Sequence, residues 1–248
     1  ITWMGGWGIN IRSGKAQGST TASKKLADMI RSTGEYTIEA WVAPANVAQE
    51  NARIVSYSGG TSVRNFPPAQ TLYSYDFYNR SSKTGVNGDP KLMTSADDED
   101  LQATLQHVVV TFDPVAGRKI YVNGVFTGDA DPTPGGTLAD WDDTFAFVLG
   151  NEVSGDRQFQ GVLRLVAVYN RALSPQQVQT NFNAGVGEKY YVLFSVGHLV
   201  DMPQAYILFT VAQYDSYSYL FDKPAFISLD KNAKPGNIPL AGMRIGVN

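Results

Sequence analysis

The sequence predicts an all-β protein: an antiparallel jelly-roll β-sandwich with one or two short helices, followed by the start of a second β-rich domain. Short alternating runs of hydrophobic and polar residues recur up to residue 170, about eight in all, with turn residues at intervals of roughly a dozen. Helical periodicity is confined to two short segments. A chain of 248 residues is long enough for one large sandwich and a smaller neighbour.

The first predicted elements are a strand, a helix and a second strand. "WGINIR" (7–12) and "YTIEAWVAP" (36–44) alternate as strands do, and a proline ends the second. Between them, "TASKKLADMIRSTG" (21–34) predicts a helix that ends at Gly34. Its inner face is predicted to carry Ala22, Leu26, Met29 and Ile30.

Two more strands follow, "ARIVSYS" (52–58) and "TLYSYDFYN" (71–79). The "RNFPPAQ" stretch between them is predicted not to form an interior strand. Pro67 and Pro68 have no N–H to donate to a sheet ladder, so an interior position would lose hydrogen bonds.

The stretch "LQHVVVTFDPVAGRKIYVNGV" predicts an antiparallel meander. Asn123-Gly124 fits a type I′ turn, because both positions of that turn require positive φ. The turn sets the cross-strand pairs Val122 with Val125 and Tyr121 with Phe126. "FAFVLGN" (145–151) and "GVLRLVAVYN" (161–170) then supply two further strands.

A second helix is predicted over 173–187 and closes the first domain. Ser174 is a good N-cap, Pro175 suits the first helical position, and Gln177 completes a capping box. Leu173 and Val178 are spaced as a hydrophobic staple, and Gly185 is a natural stop.

Residues 188–248 are predicted to be a β-rich extension or a truncated second domain, after a first domain over 1–187. Two runs in this part, 204–213 and 224–230, are strand-like. A final strand at 242–247 would have an open edge, which predicts pairing with another chain. We interpret the whole sequence as a fragment of a longer, processed polypeptide.

Composition excludes several classes of function. The formal net charge is -3, with 20 Lys+Arg against 23 Asp+Glu, so no broad basic field is available for nucleic acid. No apolar run of about 18 residues is present, and direct membrane insertion is not expected. The absence of cysteine excludes disulfides, thiol catalysis and Cys-ligated zinc within this chain.

Four stretches together resemble laminin-G-like jelly-roll domains of the concanavalin A-like lectin/glucanase superfamily, over residues 1–187. They are "YTIEAWVAP", "LQHVVVTFDPVAGRKIYVNGV", "FVLGNE" and "FQGVLRLVAVYNRALSPQQVQTNF". The resemblance implies two stacked antiparallel sheets in a large secreted or envelope protein that binds sugars, proteins or calcium. An extracellular, cell-surface or periplasmic location follows as an expectation.

Calcium is the only cofactor for which the sequence offers a site. The acidic run "DDED" is either a solvated loop or a cation site in which Asp97, Asp98 and Asp100 supply oxygen ligands. The last core strand of the family often contains an Asp-Glu pair, which is replaced here by Arg164 and Leu165, and this argues against calcium at that strand.

Two further clusters are candidate ligand sites. Trp141 beside Asp142 is either a stacking platform for sugar or a cap on the core. Asn151 and Glu152 end a strand, so they either form a loop-borne site or bond to a neighbouring loop through Arg53 or Arg64. The predicted ligand-binding residues are Trp141, Asp142, Asn151, Glu152, Arg64 and Asn65.

The sequence predicts a recognition module that is not an enzyme and that binds carbohydrate or protein. No "E-x-D-x-E" run places two carboxylates on one strand face, as retaining glycan cleavage would need, and a glycan-cleaving enzyme is the minor alternative. His107 is predicted to be structural, inside the sheet or in a hydrogen-bonded pocket. The main alternative is a structural or assembly subunit, or a spacer, whose open strands pair with another chain.

Overall fold

The computed structural model of the chain describes residues 1–4, 8–60, 62–95 and 100–186, and two strands beyond them. In chain order, the elements are β1 (Thr2–Trp3), β2 (Ile9–Ile11), β3 (Ala16–Gln17), α1 (Thr20–Thr33), β4 (Tyr36–Pro44), β5 (Ala52–Arg53), β6 (Val55–Ser58), β7 (Arg64–Phe66), β8 (Pro68–Thr71), β9 (Ser74–Phe77), β10 (Leu92–Met93), β11 (Gln106–Asp113), β12 (Gly117–Val122), β13 (Val125–Ala130), β14 (Ala146–Leu149), β15 (Gly161–Tyr169), α2 (Pro175–Ala184), β16 (Tyr206–Phe209) and β17 (Ala225–Ser228).

One layer of the sandwich is a seven-stranded antiparallel sheet in the order β1-β2-β15-β4-β11-β12-β13. The long strand β4 lies at its centre and pairs with β15 on one side and β11 on the other. Ile38 and Val42 of β4 belong to the central core, whereas Glu39 between them points to the outer surface of the sheet.

The other layer consists of two four-stranded sheets, β10-β9-β8-β5 and β3-β14-β6-β7. Only Ile54 separates β5 from β6 and only Pro67 separates β7 from β8, so one long hairpin runs through both sheets. The prediction that 64–70 holds no interior strand is wrong, since β8 lies between β9 and β5. The prolines are tolerated because their carbonyls accept the bonds, Pro67 from Tyr78 N and Pro68 from Ile54 N.

The core between the layers is rich in aromatic rings, among them Tyr36, Tyr57, Phe66 and Phe112. These rings come from both layers and meet at centroid distances of 5.6 to 5.9 Å. Aromatic contacts of this length are attractive, so they join the two layers.

Helix α1 begins after Ser19, whose hydroxyl accepts from Ala22 N, and it ends at Gly34 with φ 76°. Its buried residues are Ser23, Ala27 and Ile30, so the predicted inner face was wrong at Ala22 and Met29, which are exposed. The hydroxyl of Ser23 accepts from the backbone N–H of Phe147 in β14. That polar bond accompanies the packing of Ala27 and Ile30 in the core, and together they place Ser23 on the inner side of the helix.

The predicted turn between β12 and β13 is confirmed. Asn123 and Gly124 have φ of 51° and 80°, and the cross-strand pairs are Val122 with Val125 and Tyr121 with Phe126. The asparagine also ties the turn to β11, because Asn123 Oδ1 accepts from the N–H of His107.

Helix α2 has the predicted capping box. Ser174 N donates to Gln177 Oε1 at 2.9 Å, and Gln177 N donates to Ser174 Oγ at 3.3 Å. Leu173 and Val178 pack with Val109 and Tyr121 in a second, small hydrophobic cluster. The helix therefore covers the outer surface of the seven-stranded sheet.

The chain divides into two compact units, Ile1–Asn183 and Ala184–Asn248. In the second unit, β16 pairs with β17 in antiparallel register, and both strands lie within the predicted runs. The predicted strand at 242–247 lies outside the described residues. The assignment of 188–248 as an extension or a second domain stays a prediction.

Candidate ligand-binding site

The carboxylate of Glu152 lies at the centre of a buried ion cluster on the outer surface of the second layer. It is 2.6 Å from Arg53 Nε and 2.9 Å from Arg64 Nε, and all three side chains are at least 96% buried. Burial, followed by the charge of Arg53, lowers the pKa of Arg64, which Glu152 opposes. The two arginines hold Glu152 in place, which fits the predicted bonding through Arg53 or Arg64, although both arginines lie in strands, β5 and β7, and not in a loop.

The phenol ring of Tyr78 lies among three cationic groups in the same cluster. Its centroid is 4.3 Å from the guanidinium carbon of Arg53, 5.3 Å from that of Arg64 and 5.7 Å from Lys91 Nζ. The lysine also donates to Asp76 Oδ2 at 2.8 Å. Burial raises the pKa of Asp76, although the hydrogen bonds from Lys91 and Thr71 oppose that rise.

The side chain of Asn151 organises the loop that covers this cluster. Its Oδ1 accepts from the N–H groups of Glu152 and Arg157, each at 2.8 Å, and its amide donates to the carbonyl of Gly155 at 3.2 Å. The hydroxyl of Ser56 donates to the Asn151 carbonyl at 2.8 Å. These bonds use both polar atoms of the Asn151 side chain and hold the loop against β6.

Asn65 and Asp142 bind each other through reciprocal hydrogen bonds. Asn65 Nδ2 donates to the Asp142 carbonyl at 2.7 Å, and Asp142 N donates to Asn65 Oδ1 at 2.9 Å. The Asp142 carboxylate accepts from both the N–H and the hydroxyl of Thr144. These bonds fasten the 141–144 loop to β7.

Trp141 is buried, with 3% of its surface exposed, and its ring contacts Tyr36, Tyr57 and Phe66. Its indole N–H donates to the Arg80 carbonyl at 2.7 Å. A stacking platform must present a ring face to solvent, so the platform interpretation of Trp141 is wrong and the core-cap alternative fits. Arg64–Glu152 and Asn65–Asp142–Trp141 are thus two structural clusters around β7.

The acidic run is only partly described. Asp97 and Asp98 lie outside the described residues, and the Asp100 carbonyl accepts from Gln106 Nε2 at 2.7 Å. Within the described residues, no group of three or more His, Asp or Glu side chains is arranged to hold a metal ion. The calcium site at Asp97, Asp98 and Asp100 stays a prediction.

Glu39 anchors a second buried polar cluster, which the sequence reasoning missed, on the outer surface of the seven-stranded sheet. Its carboxylate accepts from His107 Nε2 at 2.9 Å, Tyr169 Oη at 2.8 Å and Asn181 Nδ2 at 2.7 Å. The sequence feature that could have revealed this cluster is Glu39 itself, a charged residue inside the buried run "YTIEAWVAP". The structural interpretation of His107 is confirmed, because its ring is buried and contacts both Trp41 and Phe182, which also stack on each other.

Opposing effects set the pKa values in the Glu39 cluster. Burial acts to raise the pKa of Glu39, but the hydrogen bonds from His107, Tyr169 and Asn181 and the charge of His107 outweigh it. The pKa of Glu39 therefore lies below its usual value. Burial and the negative charge of Glu39 raise the pKa of Tyr169. The cluster favours an ionised glutamate hydrogen-bonded by the tyrosine hydroxyl.

The β8–β9 hairpin presents two exposed, largely apolar side chains at its tip. Leu72 and Tyr73 connect the final pair of the hairpin, Thr71 with Ser74, and are 42% and 47% exposed. Tyr73, Tyr75 and Phe77 alternate along "TLYSYDFYN" and so share one face of a strand, but this periodicity does not distinguish the exposed Tyr73 from the buried Tyr75 and Phe77.

One seven-stranded and two four-stranded antiparallel sheets around an aromatic core define a jelly-roll β-sandwich domain. The chain belongs to the concanavalin A-like lectin/glucanases superfamily, since the Laminin_G_3 family model matches residues 14–179. No curated protein matches the sequence. No helix among the described residues is long and apolar enough to cross a membrane.

Solved structures with a similar fold include binding domains. The CBM40 domain of a Ruminococcus gnavus IT-sialidase, bound to α2,3 sialyllactose, has a TM-score of 0.55 and 17% identity over 71% of this chain and 96% of that domain. NanB in complex with Optactamide has a TM-score of 0.53 and 17% identity, covering 70% of this chain and 27% of that one.

The receptor-binding domain of botulinum neurotoxin type G has a TM-score of 0.44 and 11% identity, over 61% of this chain. This chain spans 38% of that toxin domain and 27% of NanB, well under two thirds of either. At 17% identity, the similarities to the CBM40 domain and to NanB establish the fold alone.

Proposed function

We propose that the chain is a non-catalytic recognition module of a larger extracellular or envelope protein, and that it binds carbohydrate or protein. The superfamily by its description includes both lectins and glucanases, so the decision between binding and cleavage rests on the carboxylates. A glycan-cleaving site needs two carboxylates facing each other across the substrate.

The observation that carries the proposal is that the buried carboxylates of the described residues are already engaged. Glu152 is held by two arginines, Asp76 by Lys91 and Thr71, and Glu39 by His107, Tyr169 and Asn181. A carboxylate locked into a structural ion pair is not available as a nucleophile or a proton donor. The engagement of these three carboxylates supports binding over cleavage at the positions that they occupy.

A glycan array probed with the full chain tests the proposal, with calcium and with a chelator present in parallel. Selective binding without release of new reducing ends supports a non-catalytic lectin-like module. Release of reducing ends from a bound glycan overturns it. Binding abolished only by the chelator supports the calcium site predicted at Asp97, Asp98 and Asp100.

A second candidate function, assembly with another chain, is favoured by strand β13. It is one of the two edge strands of the seven-stranded sheet, and Val125 and Phe126 on it are 62% and 41% exposed. If the edge pairs with another chain, light scattering should detect oligomers that Val125→Lys disperses. A monomer at all concentrations would remove this alternative.

A further inference from the structure

Residues 153–156 form a short surface segment between the two partners of a buried ion pair, and we call this segment the strap. It begins after Glu152, whose carboxylate pairs with Arg53, and it ends at Arg157, whose carbonyl accepts from Arg53 N at 3.0 Å. Three of its four residues are exposed, and the hydrophobic clusters found among the described residues include none of the four. The strap therefore covers the ion pair without being part of the core.

Lys15 fastens the strap at its first residue. Its Nζ donates to the Glu152 carbonyl at 3.2 Å and also to the Val153 carbonyl. The lysine immediately precedes β3, which pairs with β14, so its backbone is fixed beside the strand that leads into the strap. Val153 N also donates to Ser58 Oγ at 3.1 Å. Because a hydrogen bond from an ammonium group is stronger than one between neutral groups, Lys15 is the stronger of these two fastenings.

Two atoms of the covered ion pair have no hydrogen-bond partner among the described residues. They are Nη1 of Arg53, which is a donor, and Oε2 of Glu152, which is an acceptor. A buried polar atom without a partner has a cost in free energy that hydration would recover. Opening of the strap would let water reach both atoms, and it would expose little apolar surface because the strap lies outside the core.

We infer that the strap is a gate over the Arg53–Glu152 pair and that the ammonium group of Lys15 is its latch. The gate opens locally, without unfolding of the sandwich, and gives water and small polar molecules access to the guanidinium of Arg53. Glu152 stays paired with Arg64 when the strap opens, so the charge cluster itself persists. The inference does not depend on which ligand the domain recognises.

Modification of arginine side chains by phenylglyoxal, measured peptide by peptide in a mass spectrometer, tests this access in the full chain. In the parent, the rate at Arg53 should not change at low urea concentrations, because local opening exposes little surface to the denaturant. Lys15→Ala should raise that rate roughly tenfold, the factor expected from loss of a charged hydrogen bond. Arg12 is exposed and should react equally in every variant.

Lys25→Ala is the matched control, because it removes the same charge from an exposed position on α1. It should leave the rate at Arg53 unchanged. Lys15→Met keeps most of the aliphatic chain and removes only the ammonium group, so it should match Lys15→Ala. Amide hydrogen exchange separates local opening from a loss of overall stability: in Lys15→Ala, exchange should rise in 151–157 and stay unchanged in β4.

Three results would overturn the gate. The first is a rate at Arg53 that is the same in Lys15→Ala, Lys25→Ala and the parent. The second is a rate in the parent that rises with urea in step with global unfolding, since Arg53 would then be reached only through the unfolded chain. The third is exchange in Lys15→Ala that rises in β4 together with 151–157, because Lys15 would then stabilise the whole domain and not the strap.

Discussion

Glu39 and Glu152 are both buried glutamates on the outer surfaces of the sandwich, but their partners differ. Glu39 lies under helix α2, and its oxygens accept hydrogen bonds from a histidine, a tyrosine and an asparagine. Glu152 lies under a loop between two guanidinium groups, and within the described residues its Oε2 accepts no hydrogen bond. One cluster depends on hydrogen bonds, and the other on opposite charge.

The difference determines which changes would destabilise each cluster. Arginine stays charged throughout the ordinary pH range, so removal of Glu152 would leave two buried positive charges unpaired. In the other cluster, Glu39 can gain a proton in acid and Tyr169 can lose one in alkali. Loss of one partner from this cluster still leaves Glu39 hydrogen-bonded by the others.

The largest expected effect comes from removing the central charge of the arginine cluster. Glu152→Ala should lower the free energy of unfolding by about 3–5 kcal/mol, because it leaves Arg53 and Arg64 buried without their counterion. Denaturant unfolding measures the change. Glu50→Ala, a loss of an exposed glutamate, is the matched control and should stay within about 0.5 kcal/mol of the parent. Similar values for the two variants would mean that the cluster does not stabilise the fold.

The next largest effect comes from the contact between the β12–β13 turn and helix α2, the helix that covers Glu39. Gly124 in that turn has a φ of 80°, and a Cβ there would lie 2.8 Å from Cβ of Phe182 in α2. Gly124→Ala should destabilise by about 2–3 kcal/mol, from backbone strain plus the clash. Gly128→Ala has a similar φ of 93° with nothing within 4 Å, and should cost only about 1–2 kcal/mol. Thermal unfolding of both variants measures the difference in destabilisation, which is due to the contact with α2. Equal destabilisation by Gly124→Ala and Gly128→Ala would contradict that contact.

The smallest effect is the pH dependence of the Glu39 cluster. Because the pKa of Glu39 is lower in the folded chain than its ordinary value of 4.5, its ionised form adds stability above that pH. This contribution is lost as the pH falls through the lower folded value. Glu39→Gln should therefore give a shallower loss of stability below about pH 4.5 than the parent.

Unfolding followed at several acidic pH values tests that slope. Glu50→Gln removes the same charge from an exposed position and is the control for the change in net charge. Identical slopes for Glu39→Gln and the parent would indicate that the hydrogen bonds to Glu39 do not persist in solution.

Local backbone rules predicted the turns and helix ends of this fold. Asn123-Gly124 and the Ser174–Gln177 box depend on neighbouring residues, so a single sequence is sufficient to find them. Pro67 and Pro68 led to the wrong prediction that 64–70 contains no interior strand. The effect of a missing N–H depends on which edge of the strand faces a neighbouring strand. That edge is set by the other strands of the sheet.

The candidate site was predicted less well, for a related reason. Trp141, Glu152 and Arg64 have the residue types of a binding site, and only tertiary packing decides whether they face solvent or the interior. Tyr73 carries the same residue type as the buried Tyr75 two positions later. Exposure at a hairpin tip comes from where the strand pairing stops, which periodicity does not reveal.

The central position of β4 has a consequence for the order in which the chain assembles. Thr37 of β4 pairs with Tyr169, near the end of the first unit, so β4 cannot complete its ladder until β15 has left the ribosome. At about 5–20 residues per second, that wait is on the order of ten seconds. During this time, the edge of β4 that later pairs with β15 has no partner strand. A chaperone that shields this edge would therefore act on β4.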